Sequence, residues 1–361
     1  MKKIQEYVLR GKEVYVGLDD SKKTWAICVR SGQMVVHETN MPAEYENLRN
    51  YFRHKFPECR IRVMYEAGFR GFELHDKLVA DGWMCVVTPP HMVSQEKCHR
   101  QKNDRNDSRR LARNNENGDY RVCHVPDRQR REDRQVSRLY SQLQRDITRV
   151  CNRIRKVLDF HGLDHFFPSG PWDKHRYHLA AEKINELPLS ASLRFAFNGL
   201  FTELKQLRLL QKETLQYLRN LAHSETYQTA VKLLMSAPGI GVLTAIRLAL
   251  EWGDVRRFKT KECFAAFLGL IPRDYSTGEQ IHKGHITHQG NRQVRSWLVE
   301  AAWLAIRHDP ALLDKYRRVV HHCGSGKKAI VAVARKIGLR LRAILLSGEP
   351  YQIGLMECPA V

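Results

Sequence analysis

Four carboxylates stand where a cation could use them. Asp19 follows the apolar run VYVGL, Glu66 follows RVMY, and Asp104 and Asp107 lie three apart in KNDRNDSRRLA. Acidic residues just beyond buried strands belong to the clefts in which open α/β sheets hold their ligands, and residues three apart share a face if the segment is helical. If the strands ending at Asp19 and Glu66 are neighbours, their carboxylates converge. Converging carboxylates repel one another at neutral pH, and divalent cations are the natural compensation. Mg²⁺, with Mn²⁺ as substitute, suits an all-oxygen site, and two ions about 4 Å apart activate an attacking oxygen and stabilise a leaving one. That is phosphodiester chemistry. The residues alone leave other readings open: Asp104 and Asp107 equally suit a solvated helix face, Glu66 a salt-bridged sheet edge, and Asp20 competes with Asp19. The neighbouring Lys102, Arg105, Arg109 and Arg110 fit either substrate phosphates or ion pairs within the chain.

A second group lies in the C-terminal third. PRDYSTG places Ser276 and Thr277 ahead of Gly278. A hydroxyl is a poor nucleophile at its ordinary pKa and needs a metal, a base or phosphate activation; the plain alternative is a polar turn. HKGHITHQGNRQVR holds His282, His285 and His288 with Lys283, Arg292 and Arg295. Three imidazoles on a glycine-containing loop, with no acidic or Cys partner, make a poor metal site. Phosphate or base contact is the better reading, and bidentate guanidinium geometry favours Arg292 and Arg295. GSGKK lacks the full phosphate-loop signature and follows no strand, so no ATP site is expected. Lys327 and Lys328 are instead expected to offer charge to nucleic acid from a helix that packs Ile330, Val333, Ile337 and Leu341 inward. SAPGIG suits a tight turn that presents backbone N–H groups to a phosphate, or an ordinary helical-hairpin turn.

The whole chain supports an anionic partner. Its 361 residues are 43% hydrophobic, enough for two or three packed domains, and carry a formal charge of +21. The commonest use of such charge is a nucleic-acid backbone. No apolar run reaches the ~18 residues of a membrane span, and the charged start MKKIQEYVLRGKEVYVGL does not read as a secretory leader. A cytoplasmic, nucleoid-associated protein is expected. The nine cysteines include no CxxC pair and read as reduced, small hydrophobes.

The elements that must position these residues follow from periodicity. Strands are expected near 13–18, 24–30 and 33–38, joined by hairpins, then a helix over 43–55, a buried strand over 60–67, a helix carrying Phe72, Leu74 and Leu78, and a strand over 84–90 that ends in two prolines. Hairpins followed by β-α-β units indicate an α/β domain with a mixed sheet. VPDRQRREDRQ (125–135) reads as an exposed basic approach to a long amphipathic helix carrying Val136, Leu139, Leu143, Ile147, Val150, Ile154 and Val157. A break at 161–173 precedes a second leucine-rich helix over 199–223. The two helices suit either an internal pair or a dimerising, coiled-coil-like module. Further helices are expected from 242, at 290–307 and at 327–346, with a peripheral tail from Glu349.

The ordered set YVGLDDSK, YEAGFRG and KNDRNDSRRLA resembles the first domain of the IS110/IS1111 family of insertion-sequence transposases. SAPGIG and FAAFLGLIPRDYSTGEQIHKGHITHQGNRQVRSWLVEAAW resemble that family's C-terminal domain. The resemblance covers nearly the whole chain and implies an α/β plus α protein. Its parts are a RuvC-like ribonuclease H fold domain (1–124), a long helical connector suited to oligomerisation (125–230), a mainly helical C-terminal transposase domain (231–348) and the tail (349–361). It implies a catalytic D-E-D-D set of Asp19, Glu66, Asp104 and Asp107 binding Mg²⁺, or Mn²⁺. Asp19 is preferred to Asp20 because the family's acid directly follows the glycine–hydrophobe pair, here Gly17 and Leu18. A C-terminal serine just ahead of a glycine is the family's candidate nucleophile; relatives reading STG point to Ser276, while gap-free counting points to Thr277. Nucleic-acid contacts are expected from Lys102, Arg105, Arg109, Lys283, Arg292, Arg295, Lys327 and Lys328. The implied partners are donor and target double-stranded DNA, a structured noncoding guide RNA, and further copies of the chain as a dimer or tetramer. Alternatives are a RuvC-like nuclease or junction resolvase acting by hydrolysis, a site-specific DNA invertase, and a non-catalytic DNA- or RNA-binding protein.

Overall fold

The computed structural model describes residues 9–90, 103–167, 174–274, 283–287 and 289–354. Lys102, Ser276, Thr277, His282 and His288 lie outside the described residues. The chain forms two compact units, Met1–Pro126 and Asp127–Val361.

Unit 1 begins with three strands, β1 (Glu13–Asp20), β2 (Thr24–Ser31) and β3 (Met34–Pro42), followed by helix α1 (Tyr45–Lys55). Strand β4 (Arg60–Glu66), helix α2 (Glu73–Ala80), strand β5 (Met84–Thr88) and helix α3 (Asp104–Asn117) complete it. The sheet order is β3-β2-β1-β4-β5. Strands β1, β2 and β3 pair antiparallel, while β1, β4 and β5 run parallel. This mixed sheet with flanking helices is the RuvC-like, ribonuclease H arrangement, and the expected strands fall where periodicity places them.

Alternation along β1 divides the labour between the two faces of the sheet. Val14, Val16 and Leu18 are fully buried with Leu48 and Phe52 of α1 and Leu74 and Leu78 of α2; each such side chain contributes about 1.5–3 kcal/mol. The opposite face carries Gly17 and lies under α3. A Cβ at Gly17 would stand 2.1 Å from the Ser108 carbonyl oxygen and 2.2 Å from the Ala112 nitrogen, so only glycine lets the helix backbone lie directly on the strand. Leu111 of α3 buries with Met64 and Val86 on this face. The helix is bounded by Asn103, whose side chain accepts from the Arg105 N–H, and by left-handed Gly118.

Unit 2 is mainly helical. It contains α4 (Arg128–Phe160), α5 (Lys174–Glu186), α6 (Ala191–Ala222), α7 (Gln228–Met235), α8 (Val242–Trp252) and α9 (Lys261–Phe267). A short antiparallel pair, β6 (Pro272–Asp274) and β7 (Lys283–Ile286), precedes α10 (Arg292–Ala305), α11 (Pro310–Cys323) and α12 (Gly326–Ser347).

Three features of this unit differ from the sequence reading, and the α4 stripe takes one of the two roles left open for it. The basic approach at 125–135 is already helical from Arg128, with Asp127 as its cap. Its charges are used internally: Arg130 donates to the Ala249 carbonyl at 3.3 Å, and Arg134 donates to those of Leu250 at 2.7 Å and Glu251 at 2.9 Å. The Leu250 and Glu251 carbonyls lie in the last turn of α8, where helical N–H groups run out, while the Ala249 carbonyl also accepts from the Gly253 N–H. The sequence reading places no helix at α5, α7, α9 or α11, because each is short or rich in polar residues. The apolar stripe of α4 is consumed within the chain: Val150, Ile154 and Leu158 bury with Tyr177, Ala180, Ile184, Phe197 and Leu204. Tyr140 and Leu218 join the larger core of α7, α8, α10 and α12, so the connector helices and the C-terminal helices share a core. Finally, the chain beyond Glu349 is not wholly peripheral. Arg340 Nη1 lies 2.7 Å from Asp309 Oδ2, both side chains buried, and the Tyr351 hydroxyl hydrogen-bonds to both.

Candidate active site

Strand register brings the first two acids together. The parallel pairing of β1 with β4 runs from Glu13 opposite Arg60 to Leu18 opposite Tyr65, so the next step sets Asp19 beside Glu66 at the strand ends. Helix α3 supplies the other two. Its contact at Gly17 fixes its height over the sheet, and Asp104 and Asp107 occupy its first turn, where the helix dipole favours negative charge. The Asp19 carboxyl is pushed up to about 6, first by burial and then by the charges of Asp104, Asp107, Glu66 and Asp20. All four acids of the expected set therefore share one electrostatic neighbourhood.

Asp20 does a different job. It accepts a 2.8 Å hydrogen bond from Trp25 Nε1 and lies 3.3 Å from Arg70 Nε, and the Arg70 guanidinium stands over the Trp25 ring. Adjacent strand residues point to opposite faces, so Asp19 faces α3 while Asp20 is committed to the other side. Arg70 also donates to the Ser21 carbonyl, which ties the loop after β1 to the loop after β4.

Arg110 places a cation between two of the acids. Its Nη2 lies 3.0 Å from Glu66 Oε1 and 2.9 Å from Asp107 Oδ1, joining an acid of the sheet to an acid of the helix. Among the described residues, no group of three or more His, Cys, Asp or Glu side chains is set closely enough to hold a metal ion as it stands. The donor chemistry nevertheless fits Mg²⁺ or Mn²⁺: the donors are carboxylate oxygens, two at neighbouring strand ends and two in the first turn of α3.

The basic residues divide by partner. Arg105 and Arg109 both grip Glu38 of β3: Arg105 Nη2 lies 2.6 Å from Glu38 Oε2, Arg109 Nη2 donates to the same oxygen at 2.8 Å, and Arg109 Nε bonds Oε1. This holds the Glu38 carboxyl down at about 2, chiefly through the Arg109 hydrogen bond. The sequence does not single out Glu38: it lies 67 residues from Arg105, and no local pattern marks the pairing. In unit 2, Arg292 is exposed at the start of α10, whereas Arg295 donates to the Gly269 carbonyl at 3.2 Å. Lys327 and Lys328 are exposed in the first turn of α12, His285 is exposed, and Lys283 belongs to β7. Gly239 of SAPGIG packs so closely on α10 that a Cβ there would lie 2.5 Å from the Ala301 carbonyl oxygen. Strands β6 and β7 flank the segment that contains Ser276 and Thr277.

A RuvC-like sheet with acids gathered at its strand ends, joined to a mainly helical unit in one strongly basic chain, defines a nucleic-acid-processing enzyme. The DEDD transposase model of IS110 elements, described as Transposase, matches residues 16–162, and the model described as Transposase IS116/IS110/IS902 family matches residues 231–317. The transposase for insertion sequence element IS1111A of Coxiella burnetii is 26% identical over 280 residues, covering 74% of this chain and 73% of that one. The transposase for insertion sequence element IS1328 of Yersinia enterocolitica is 39% identical over 83 residues, covering 23% of this chain and 24% of that one. The pilin gene-inverting protein of Moraxella bovis is 30% identical over 127 residues, 35% of this chain and 39% of that one. The chain belongs to the IS110/IS1111 family of insertion-sequence transposases and is a DNA transposase or recombinase. Among the described residues no helix is long and apolar enough to cross a membrane.

Proposed function

We propose that this transposase cuts and exchanges DNA strands to insert and excise a mobile element, with Asp19, Glu66, Asp104 and Asp107 as its metal-binding acids. The observation that carries this reading is geometric: the β1–β4 register ends with Asp19 beside Glu66, and α3, seated on Gly17, carries Asp104 and Asp107 in its first turn. When bound, Mg²⁺ or Mn²⁺ supplies Lewis-acid activation of the phosphodiester. Asp19 and Glu66 hold one side of the site from neighbouring strand ends, and Asp104 and Asp107 hold the other from a helix seated on Gly17.

Ser276 is the proposed nucleophile, with Thr277 as the alternative hydroxyl. Attack by the hydroxyl oxygen on phosphorus forms a phosphoester to the protein and releases one DNA strand end; attack by a second strand end reverses the step and conserves the bond. Support comes from the family's serine motif and from the polar PRDYSTG segment. Recognition by a structured guide RNA belongs to the same proposal: pairing would supply sequence choice while lysines and arginines hold backbones. Arg292, Lys327 and Lys328, exposed on unit 2, are the readiest of the expected contacts; Lys102 and Lys283 belong to the same proposal. Arg105, Arg109 and Arg295 would first have to leave their present partners. The 125–230 connector is proposed to assemble two or four copies; Leu139 and Leu210, 38% and 43% exposed, remain available on α4 and α6.

Site-specific inversion is a second reading, favoured by the similarity to the pilin gene-inverting protein. A strand-exchange reaction with the element's ends, its flanking transcript and Mg²⁺ tests the proposal. Carboxamide variants of the four acids should each reduce products to background. Retained products in all four would remove the acidic set from the chemistry, and products formed only between inverted sites would select the second reading.

A further inference from the structure

Arg110 lies where the acids of the site face one another, and nothing in the function proposed above assigns it a role. Its side chain is largely buried, at 21% exposure, beside Glu66 at 30% and Asp107 at 25%. A single nitrogen, Nη2, bonds both carboxylates, at 3.0 and 2.9 Å. The Nε is buried and has no hydrogen-bond partner among the described residues. The guanidinium is therefore fastened at one corner, by two bonds to acids that repel one another without it.

The same corner is the space a divalent cation shared by Glu66 and Asp107 would need. Mg²⁺ binds oxygen at about 2.0–2.1 Å, well inside the separations now spanned by Nη2. A divalent cation taking up these two oxygens would have to displace the guanidinium from them. Displaced, the guanidinium would stand at the rim of a site whose substrate is a phosphodiester, and its planar fork matches phosphate oxygens.

We propose that Arg110 is a displaceable counter-cation: it neutralises Glu66 and Asp107 in the metal-free protein, competes with the divalent ion for them, and is released to the DNA phosphate when the ion enters. Metal and DNA then reinforce each other, since phosphate takes up the group that opposes metal, and the coupling is reciprocal. The inference rests on the reading of the acidic group as a metal site.

The test measures Mn²⁺ affinity of the full chain by isothermal titration calorimetry, without and with duplex DNA carrying the element ends. Melting temperature in EDTA and after Mn²⁺ addition is read alongside. For Arg110→Met the expected result is Mn²⁺ binding about tenfold tighter without DNA, loss of most of the tightening that DNA gives the wild type, and a lower melting temperature in EDTA that recovers with Mn²⁺. Arg110→Lys, which keeps the charge but not the fork, should shift the same way by less. Unchanged or weaker Mn²⁺ binding in a folded Arg110→Met protein would overturn the proposal. If that variant does not fold, unchanged Mn²⁺ binding and unchanged DNA coupling in Arg110→Lys would overturn it instead. Asp19→Asn separates the two levels: if it binds Mn²⁺ like the wild type, the metal-site reading itself fails, whereas if it loses binding while the Arg110 variants behave like the wild type, only the counter-cation role fails.

Discussion

The Ser108 carbonyl lies over Gly17 so closely that a methyl group there would come within 2.1 Å of it. This contact sets the height of α3 above β1, and with it the reach of Asp104 and Asp107 toward Asp19. Both atoms nearest the missing Cβ are backbone, so the clash cannot be relieved by a rotamer. Gly17→Ala is expected to cost about 3 kcal/mol, the upper end of ordinary overpacking, and to weaken Mn²⁺ binding in whatever fraction stays folded. Urea denaturation with Mn²⁺ titration checks both; a Gly17→Ala protein of wild-type stability would mean that α3 does not sit on the strand as described.

Asp19 and Asp20 should separate cleanly on substitution. Asp19→Asn is expected to lose strand exchange while leaving the melting temperature of the metal-free protein unchanged or raised, because it removes one of several repelling charges. Asp20→Asn removes the acceptor shared by Trp25 and Arg70 and is expected to destabilise by about 1–3 kcal/mol, with strand exchange largely retained at temperatures where it is folded. The reverse pattern would reassign the metal-binding acid to Asp20.

Glu38 gives unit 1 an acid-side dependence. Its folded carboxyl is held at about 2, below the ordinary 4.5, so the unfolded chain takes up the proton first as pH falls. The stabilisation is fully present above about pH 4.5 and is lost as pH falls through about 2. Arg105 and Arg109 are 61% and 44% exposed, and solvent screening limits the effect to about 1 kcal/mol. Glu38→Gln should reduce stability at neutral pH and flatten this part of the pH–stability curve. A curve parallel to the wild type across that window would contradict the pairing.

Asp309 should matter far from the chemistry. Removing one partner of a buried pair strands the other charge, at a cost of about 3–5 kcal/mol. Asp309→Ala leaves Arg340 and Tyr351 without their common acceptor, and unit 2 is expected to unfold at correspondingly lower denaturant. A midpoint within error of wild type would show that the tail residue Tyr351 is not anchored there.

What could be read in the sequence, and what could not, follows from the range of the interactions. The strands of unit 1 were legible because Val14, Val16 and Leu18 alternate with residues of the other face, and that alternation is local. Asp19 and Glu66 were legible as candidates because each ends an apolar run; their adjacency required the β1–β4 pairing, which alternation does not specify. Glu38 was invisible because its partners arrive from a helix on the far side of the intervening sequence. The arginines at 130 and 134 read as solvent-facing because polarity marks what a side chain can do and not which carbonyl it reaches. Likewise, the α4 stripe announces burial without saying whether the covering helix comes from the same chain; here Phe197 and Leu204 cover much of it. Gly17 reads as an unremarkable strand glycine until Ser108 is brought over it.

The most direct measurement is the strand-exchange reaction in Mg²⁺, resolved on a denaturing gel and followed by peptide mapping of any DNA attached to protein. The account predicts a covalent adduct in the 271–283 segment, on Ser276, that is absent from both Asp19→Asn and Ser276→Ala proteins; an adduct on Thr277 would move the nucleophile by one residue. Strand-exchange products formed at wild-type yield by an Asp19→Asn protein, or by one lacking both hydroxyls, would contradict the need for both the acids and the hydroxyl.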